Sequence, residues 1–166
     1  ITEIQPEDVV YAEELGYRIK HLGIARQREG GVELRVHPTL IPERRLIAQV
    51  NGVMNAVMVK GDAVGPTLYY GPGAGAEPTA SAVIADIVDV ARSIGSAAEN
   101  CVSALGFASE TIVDPGVLDI NDIESAYYLR ASVLDQPGVL SSVAQIMSQR
   151  GISIEAIIQK EPRAGA

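Results

Sequence analysis

Tryptophan is absent from these 166 residues, phenylalanine occurs once (Phe107), cysteine once (Cys101) and histidine twice (His21, His37). A single cysteine excludes an intramolecular disulfide and a thiolate metal site, and two separated histidines make no metal cluster. Cys101 reads as a small buried or neutral residue rather than a reactive thiol. No apolar run approaches the ~20 residues of a membrane helix, and no signal-peptide pattern opens the chain. Basic residues are the minority, 13 against 21 acidic, for a net charge of −8. That balance speaks against nucleic acid and anionic membranes as partners. The chain begins at Ile1 rather than Met and stops just after a strand-like run, so it reads as a piece of a longer protein.

What is present is aliphatic: 47% of residues are hydrophobic, enough for a core of Val, Ile, Leu and Ala. The most informative stretch is Gly71-Pro72-Gly73-Ala74-Gly75-Ala76-Glu77-Pro78-Thr79-Ala80. It joins a strand-like run, Thr67 to Tyr70, to a helix expected from Pro78 to about Ile94. In that helix Ala80, Val83, Ile84, Ile87, Val88, Ala91 and Ile94 recur at three- and four-residue spacing. Alternating glycines let a backbone turn sharply or approach another molecule, and a helix start aims N–H groups and a dipole at what lies before it. A plain strand-to-helix turn also accounts for the loop. Gly71, Gly73 and Ala76 satisfy the relaxed dinucleotide pattern, but no apolar strand with a ribose-binding acid follows. No Lys-Ser/Thr follows the glycines, which excludes a P-loop.

Upstream, Pro6 to Leu15 is expected as a short helix, followed by a hairpin of Tyr17–Ala25 and Val32–Val36. Pro38 and Pro42 suggest an irregular connection, and Leu46–Val50 a short helix or strand. Asn55–Val59 is expected to pair with Thr67–Tyr70. Between Ser93 and Leu129 stand six acidic residues and no basic one, the composition of a connector; their spacing matches no metal-binding loop. Asp86 and Asp89 read as solvated helix surface. Further on, Tyr127, Leu129, Ala131 and Val133 alternate with Tyr128, Arg130 and Ser132 at strand period. Asp135-Gln136-Pro137-Gly138 turns into an apolar-faced helix, Gly151 ends it, and Ile152–Ile158 is a second strand. This βαβ unit, with its strands expected parallel, cannot cover both faces of its own sheet.

Two blocks carry a family resemblance. Val50-Asn51-Gly52-Val53-Met54-Asn55-Ala56-Val57-Met58-Val59, the glycine loop, Glu77-Pro78-Thr79-Ala80-Ser81-Ala82-Val83 and Asp86 resemble the C-terminal part of the homoserine dehydrogenase catalytic domain. Asp135-Gln136-Pro137-Gly138-Val139-Leu140 with Gly151-Ile152-Ser153-Ile154 resembles the opening half of an ACT domain, the ferredoxin-like amino-acid sensor. The resemblance implies an α+β fold: a mixed or antiparallel sheet covered by helices over residues 1–95, an acidic connector over 96–125 and a partial ACT βαβ unit over 126–166. It also implies a cytoplasmic oxidoreductase interconverting L-homoserine and L-aspartate 4-semialdehyde with NADP or NAD. That step belongs to threonine, methionine and isoleucine biosynthesis, carried out by a homodimer or higher homo-oligomer. By the same resemblance Gly73, Gly75 and Thr79 contact the cofactor, with helix capping a second role for Thr79. Asp135 and Gly138 would meet an amino-acid effector such as L-threonine, or form an ordinary turn and cap. The family's nucleotide-binding half and catalytic lysine segment have no counterpart here. Lys20 and Lys60 sit in no matching motif, no catalytic residue is assigned, and this piece alone is expected to be inactive. The alternatives are a non-catalytic ACT-type amino-acid-binding regulator and a dimerisation scaffold without ligand.

Overall fold

The computed structural model describes residues 4–94 and 106–160. The expectation for Cys101, and for the part of the acidic connector between residues 96 and 105, falls outside those residues. Helix α1 spans Pro6–Glu14. Pro6 occupies the first turn, where its missing N–H is no loss, and Gly16 follows at φ +79°, the left-handed position that ends a helix.

Strands β1 (Tyr17–Arg28) and β2 (Gly31–Pro42) pair antiparallel along their whole length, from Tyr17–Pro42 to Arg28–Gly31. Both run further than the residue pattern suggested, and β2 passes straight through Pro38. The two-stranded sheet explains this: among the described residues no further strand pairs with β2 beside Pro38, and a proline without an N–H is tolerated on an edge strand. Thr39 Oγ1 donates to the His37 carbonyl at 3.3 Å beside it. Near the hairpin tip Glu33 is 1% exposed, the most buried large side chain described. Its Oε2 accepts from Arg28 Nε at 2.9 Å, and Arg35 Nε lies 2.9 Å from Oε1. The Arg28 hydrogen bond, opposed by burial and reinforced by the charges of Arg35, Arg28 and Arg26, holds this carboxyl below its usual range.

A 3₁₀ turn at Leu46–Gln49 leads to a second antiparallel pair, β3 (Met54–Gly61) and β4 (Gly65–Pro72). Helix α2 follows at Ala76–Ile94, starting two residues before Pro78. The connector is not a free spacer. Val32 N–H donates to the Gly116 carbonyl at 2.9 Å, and Leu118 N–H to the Val32 carbonyl at 3.0 Å, a parallel bridge onto the hairpin. Helix α3 spans Val139–Gln149. Residues 127–133 and 152–158 flank it as expected but carry no strand ladder. In a split βαβ arrangement the two parallel strands are separated by another strand, so neither has a pairing partner among the described residues.

The architecture is α+β, small antiparallel sheets with helices. Among the described residues the buried apolar ones are few: Ala12, Ile41 and Ala48. The small side chains of Ala12 and Ala48 let α1 and the 3₁₀ turn sit close against the first hairpin. The accessible surface is 14127 Å², against roughly 7,900 Å² for a folded monomer of 17.5 kDa. The apolar stripe of α2, Val83, Ile84, Ile87, Val88 and Ile94, is exposed, as are Val57, Val59 and Tyr69 on the second hairpin. These faces are built to be covered.

Gly31 sets the approach of the connector. A Cβ there would stand 3.0 Å from the Gly116 carbonyl oxygen and 3.2 Å from Leu118 Cδ2. Gly31→Ala is expected to cost about 1–3 kcal/mol by overpacking and to speed hydrogen exchange at the Val32 and Leu118 amides, as mass spectrometry or NMR would record.

Candidate functional site

The β3–β4 hairpin delivers the glycine loop to the start of α2. Each glycine has a distinct local reason. Gly71 opens to empty space. Gly73 faces Asn55 of β3: a Cβ there would lie 2.7 Å from Asn55 Cγ, so the asparagine amide occupies the room a side chain would need. The Gly73 N–H and Asn55 Nδ2 both donate to the Val53 carbonyl at 3.4 Å. Gly75 precedes the helix at φ +134°, a conformation reserved for glycine, and its carbonyl accepts the Thr79 N–H at 3.1 Å. The Thr79 backbone donor is therefore spent inside the helix, while its side chain is exposed without a hydrogen bond among the described residues. The N–H groups of Ala76 and Glu77, at the first helical positions, have no intrahelical acceptor. An exposed backbone without side chains, a free hydroxyl and a positive helix end suit a flat electron-rich group.

Lys20 is structural. Its Nζ donates to the Val50 carbonyl at 2.5 Å and to Asn51 Oδ1 at 2.8 Å, fixing the turn that enters β3. Further along the chain Gly138 caps α3 at φ +94°. Its carbonyl accepts Ser142 N–H at 2.9 Å, Ser141 Oγ at 2.8 Å and Ser142 Oγ at 3.0 Å. Asp135 is exposed beside it, with no hydrogen bond among the described residues.

One polar cluster escaped the residue pattern. Asp8, 7% exposed, divides its two oxygens. Oδ2 accepts the Gln5 N–H at 2.8 Å and caps its own helix. Oδ1 accepts Tyr128 OH at 3.0 Å and Arg130 Nε at 2.6 Å. Burial pushes this carboxyl up, but the Gln5, Tyr128 and Arg130 hydrogen bonds and the Arg130 charge outweigh it and hold it below its ordinary value. Burial, with Asp8 beside it, pushes the Tyr128 hydroxyl up to about 12. The strand period had already put Tyr128 and Arg130 on one polar face; nothing local in the sequence ties them to an acid 120 residues away. Among the described residues no group of three or more His, Cys, Asp or Glu is placed to hold a metal, and no helix is long and apolar enough to cross a membrane.

Two modules thus stand in one chain: an α+β piece that ends in a glycine loop and helix, and a sensor-like stretch around α3. The ACT domain model matches residues 127–166, and the homoserine dehydrogenase model matches residues 1–88. The chain belongs to the homoserine dehydrogenase family. It is 63% identical to the homoserine dehydrogenase of Pseudomonas aeruginosa over 97% of its own length, and 53% identical to that of Neisseria gonorrhoeae over 96%. It spans 37% of the length of each of these relatives. The crystal structure of a homoserine dehydrogenase from Thiobacillus denitrificans superposes with a TM-score of 0.85 at 58% identity, covering 96% of this chain and 37% of that one. One from S. aureus gives 0.51 at 41% identity, over 58% of this chain and 24% of that one.

Gly73→Ala is expected to destabilise by about 1–3 kcal/mol, and Asn55→Ala in the same chain to recover most of that loss; a double-mutant cycle by chemical denaturation reads the coupling. The Asp8 joint carries a pH signature. Because the folded value is depressed, its stabilisation is present above the ordinary aspartate range near about pH 4 and is lost as pH falls through the lower folded value. Asp8→Asn should remove that acid-sensitive component, measured as Tm against pH below neutrality.

Proposed function

We propose that this chain forms the C-terminal part of the catalytic domain and the first half of the ACT unit of a homoserine dehydrogenase, an oxidoreductase interconverting L-homoserine and L-aspartate 4-semialdehyde with NADP or NAD. One observation carries the reading: 63% identity to such an enzyme over nearly the whole chain, glycine loop and ACT stretch in one order. In this reading residues 1–95 are the catalytic and dimerisation part, 96–125 an acidic connector and 126–166 the partial ACT unit. The enzyme works in the cytoplasm, in the biosynthesis of threonine, methionine and isoleucine, as a homodimer or higher homo-oligomer. The exposed apolar faces of α2 and the second hairpin suit that assembly. A stand-alone amino-acid-binding regulator leaves the match over residues 1–88 without a purpose.

Gly73, Gly75 and Thr79 form the cofactor-facing surface. A bound nicotinamide would supply hydride-acceptor chemistry for the homoserine carbinol carbon, and the part of these residues would be to hold and orient it. Gly75 bares the backbone so that a flat ring can lie against it. The Thr79 hydroxyl offers a hydrogen bond at the same helix end. The residues of this chain hold and orient; no proton transfer is assigned to any of them. In the ACT unit Gly138 gives an effector access to the N–H groups at the start of α3, which receive a carboxylate, and Asp135 takes the ammonium group; L-threonine fits both.

The test is homoserine-dependent reduction of NADP and NAD by the whole enzyme, with and without L-threonine. Turnover suppressed by threonine is the expected result, and absence of turnover with either cofactor promotes the amino-acid-binding regulator. Thr79→Ala should raise the KM for the nicotinamide cofactor about two- to tenfold, the worth of one hydrogen bond, with Tm unchanged.

A further inference from the structure

The ACT stretch grips a single short helix at both ends. At the start of α1, Tyr128 and Arg130 bind Asp8. At its end, Lys160 pairs with Glu14 and lies 5.0 Å over the Tyr11 ring. These partners are 120 to 146 residues apart in sequence. The grip on Asp8 is not an ordinary surface ion pair, which is worth little. The carboxylate is nearly buried, and the oxygen that Arg130 and Tyr128 leave free is the one that caps α1. Displacing residues 128–130 therefore disturbs the helix cap directly.

From α1 a continuous series of contacts leads to the glycine loop. The helix packs on β1. Arg18 of β1 pairs with Glu13 of α1 and, through Nη2, with Glu43 Oε1 at 2.8 Å beyond β2. Two residues along β1, Lys20 binds the Val50 carbonyl and Asn51 Oδ1. The Asn51 carbonyl accepts the Met54 N–H at 3.2 Å, where β3 begins. The next residue, Asn55, fills the space beside Gly73.

We propose that α1 is the element coupling the ACT unit to the glycine loop, with Asp8 as the joint and Tyr128 and Arg130 as positioning residues. This rests on the functional reading above and specifies how regulation reaches that site. Effector occupancy beside Gly138 shifts the segment that carries Tyr128 and Arg130, α1 follows through Asp8, and β1 passes the shift to the turn that sets Asn55 and the loop. By linkage, cofactor and substrate at the loop change effector affinity by the same factor.

The experiment uses the whole enzyme with Arg130→Met and Tyr128→Phe, singly and together, and Lys160→Gln as a variant at the other end of α1. Basal homoserine-dependent turnover should stay within about twofold of wild type. The half-inhibitory L-threonine concentration should rise about tenfold or more in Arg130→Met, within the usual span of allosteric coupling, while the threonine Kd of the enzyme without substrate, read by calorimetry, holds. A purely structural role would lower Tm without separating these two readouts. Hydrogen exchange over residues 6–14 should be faster in Arg130→Met than in wild type without any ligand. Inhibition at wild-type potency in Arg130→Met overturns the proposal, as does unchanged protection of α1. A wild-type enzyme lacking turnover or any threonine response overturns the functional reading instead, and the exchange measurement then decides whether Asp8 is the joint that holds α1.

Discussion

Twelve residues of β1 lie against twelve of β2 in unbroken register, and several other parts of the chain attach to that ladder. Helix α1 and the Leu46–Gln49 turn pack on it, the connector bridges to it at Val32, and Lys20 reaches from it to the entrance of β3. Slipping the pair by one residue would send Glu33, with its arginine partners, to the wrong face of the strand. It would also move Lys20 away from Asn51. The register therefore sets the placement of the glycine loop, although the loop belongs to the other hairpin.

Ionic contacts do unusual duty because apolar burial among the described residues is sparse. Glu33 is the most buried large side chain and Asp8 is nearly so. Each is compensated, Glu33 by Arg28 and Arg35, Asp8 by Arg130, Tyr128 and a backbone N–H. A buried carboxylate without such partners is costly. The apolar stripes of α2 and the second hairpin, by contrast, await a surface outside the described residues. The chain spans 37% of the length of its relatives.

Much of the architecture was legible locally. Pro6, Gly16 and Gly138 mark helix ends through backbone conformation alone, and the glycine loop stands where a strand run meets a 3.6-residue apolar period. The extent of β2 was hidden because Pro38 breaks a central strand but not an edge strand, and edge status is a property of the sheet. The ladder expected around α3 did not form because pairing needs a third strand. At the candidate site, Gly75 was legible as a backbone requirement at a helix start. The seat of Asn55 beside Gly73 was not, since it depends on the β3–β4 register. Asp8 looked like any acid in a first helical turn.

The sequence by itself determined the class of chain, the positions of its helices and turns, and the two blocks that place it in its family, because these follow from local periodicity, backbone restriction and residue identity. The tertiary structure alone decided that the connector docks on Val32, that Lys20 braces a turn, and that the oxygens of one aspartate join a helix cap to the ACT stretch. Those contacts unite residues up to 122 positions apart, and only the folded register and packing bring such groups within hydrogen-bond distance.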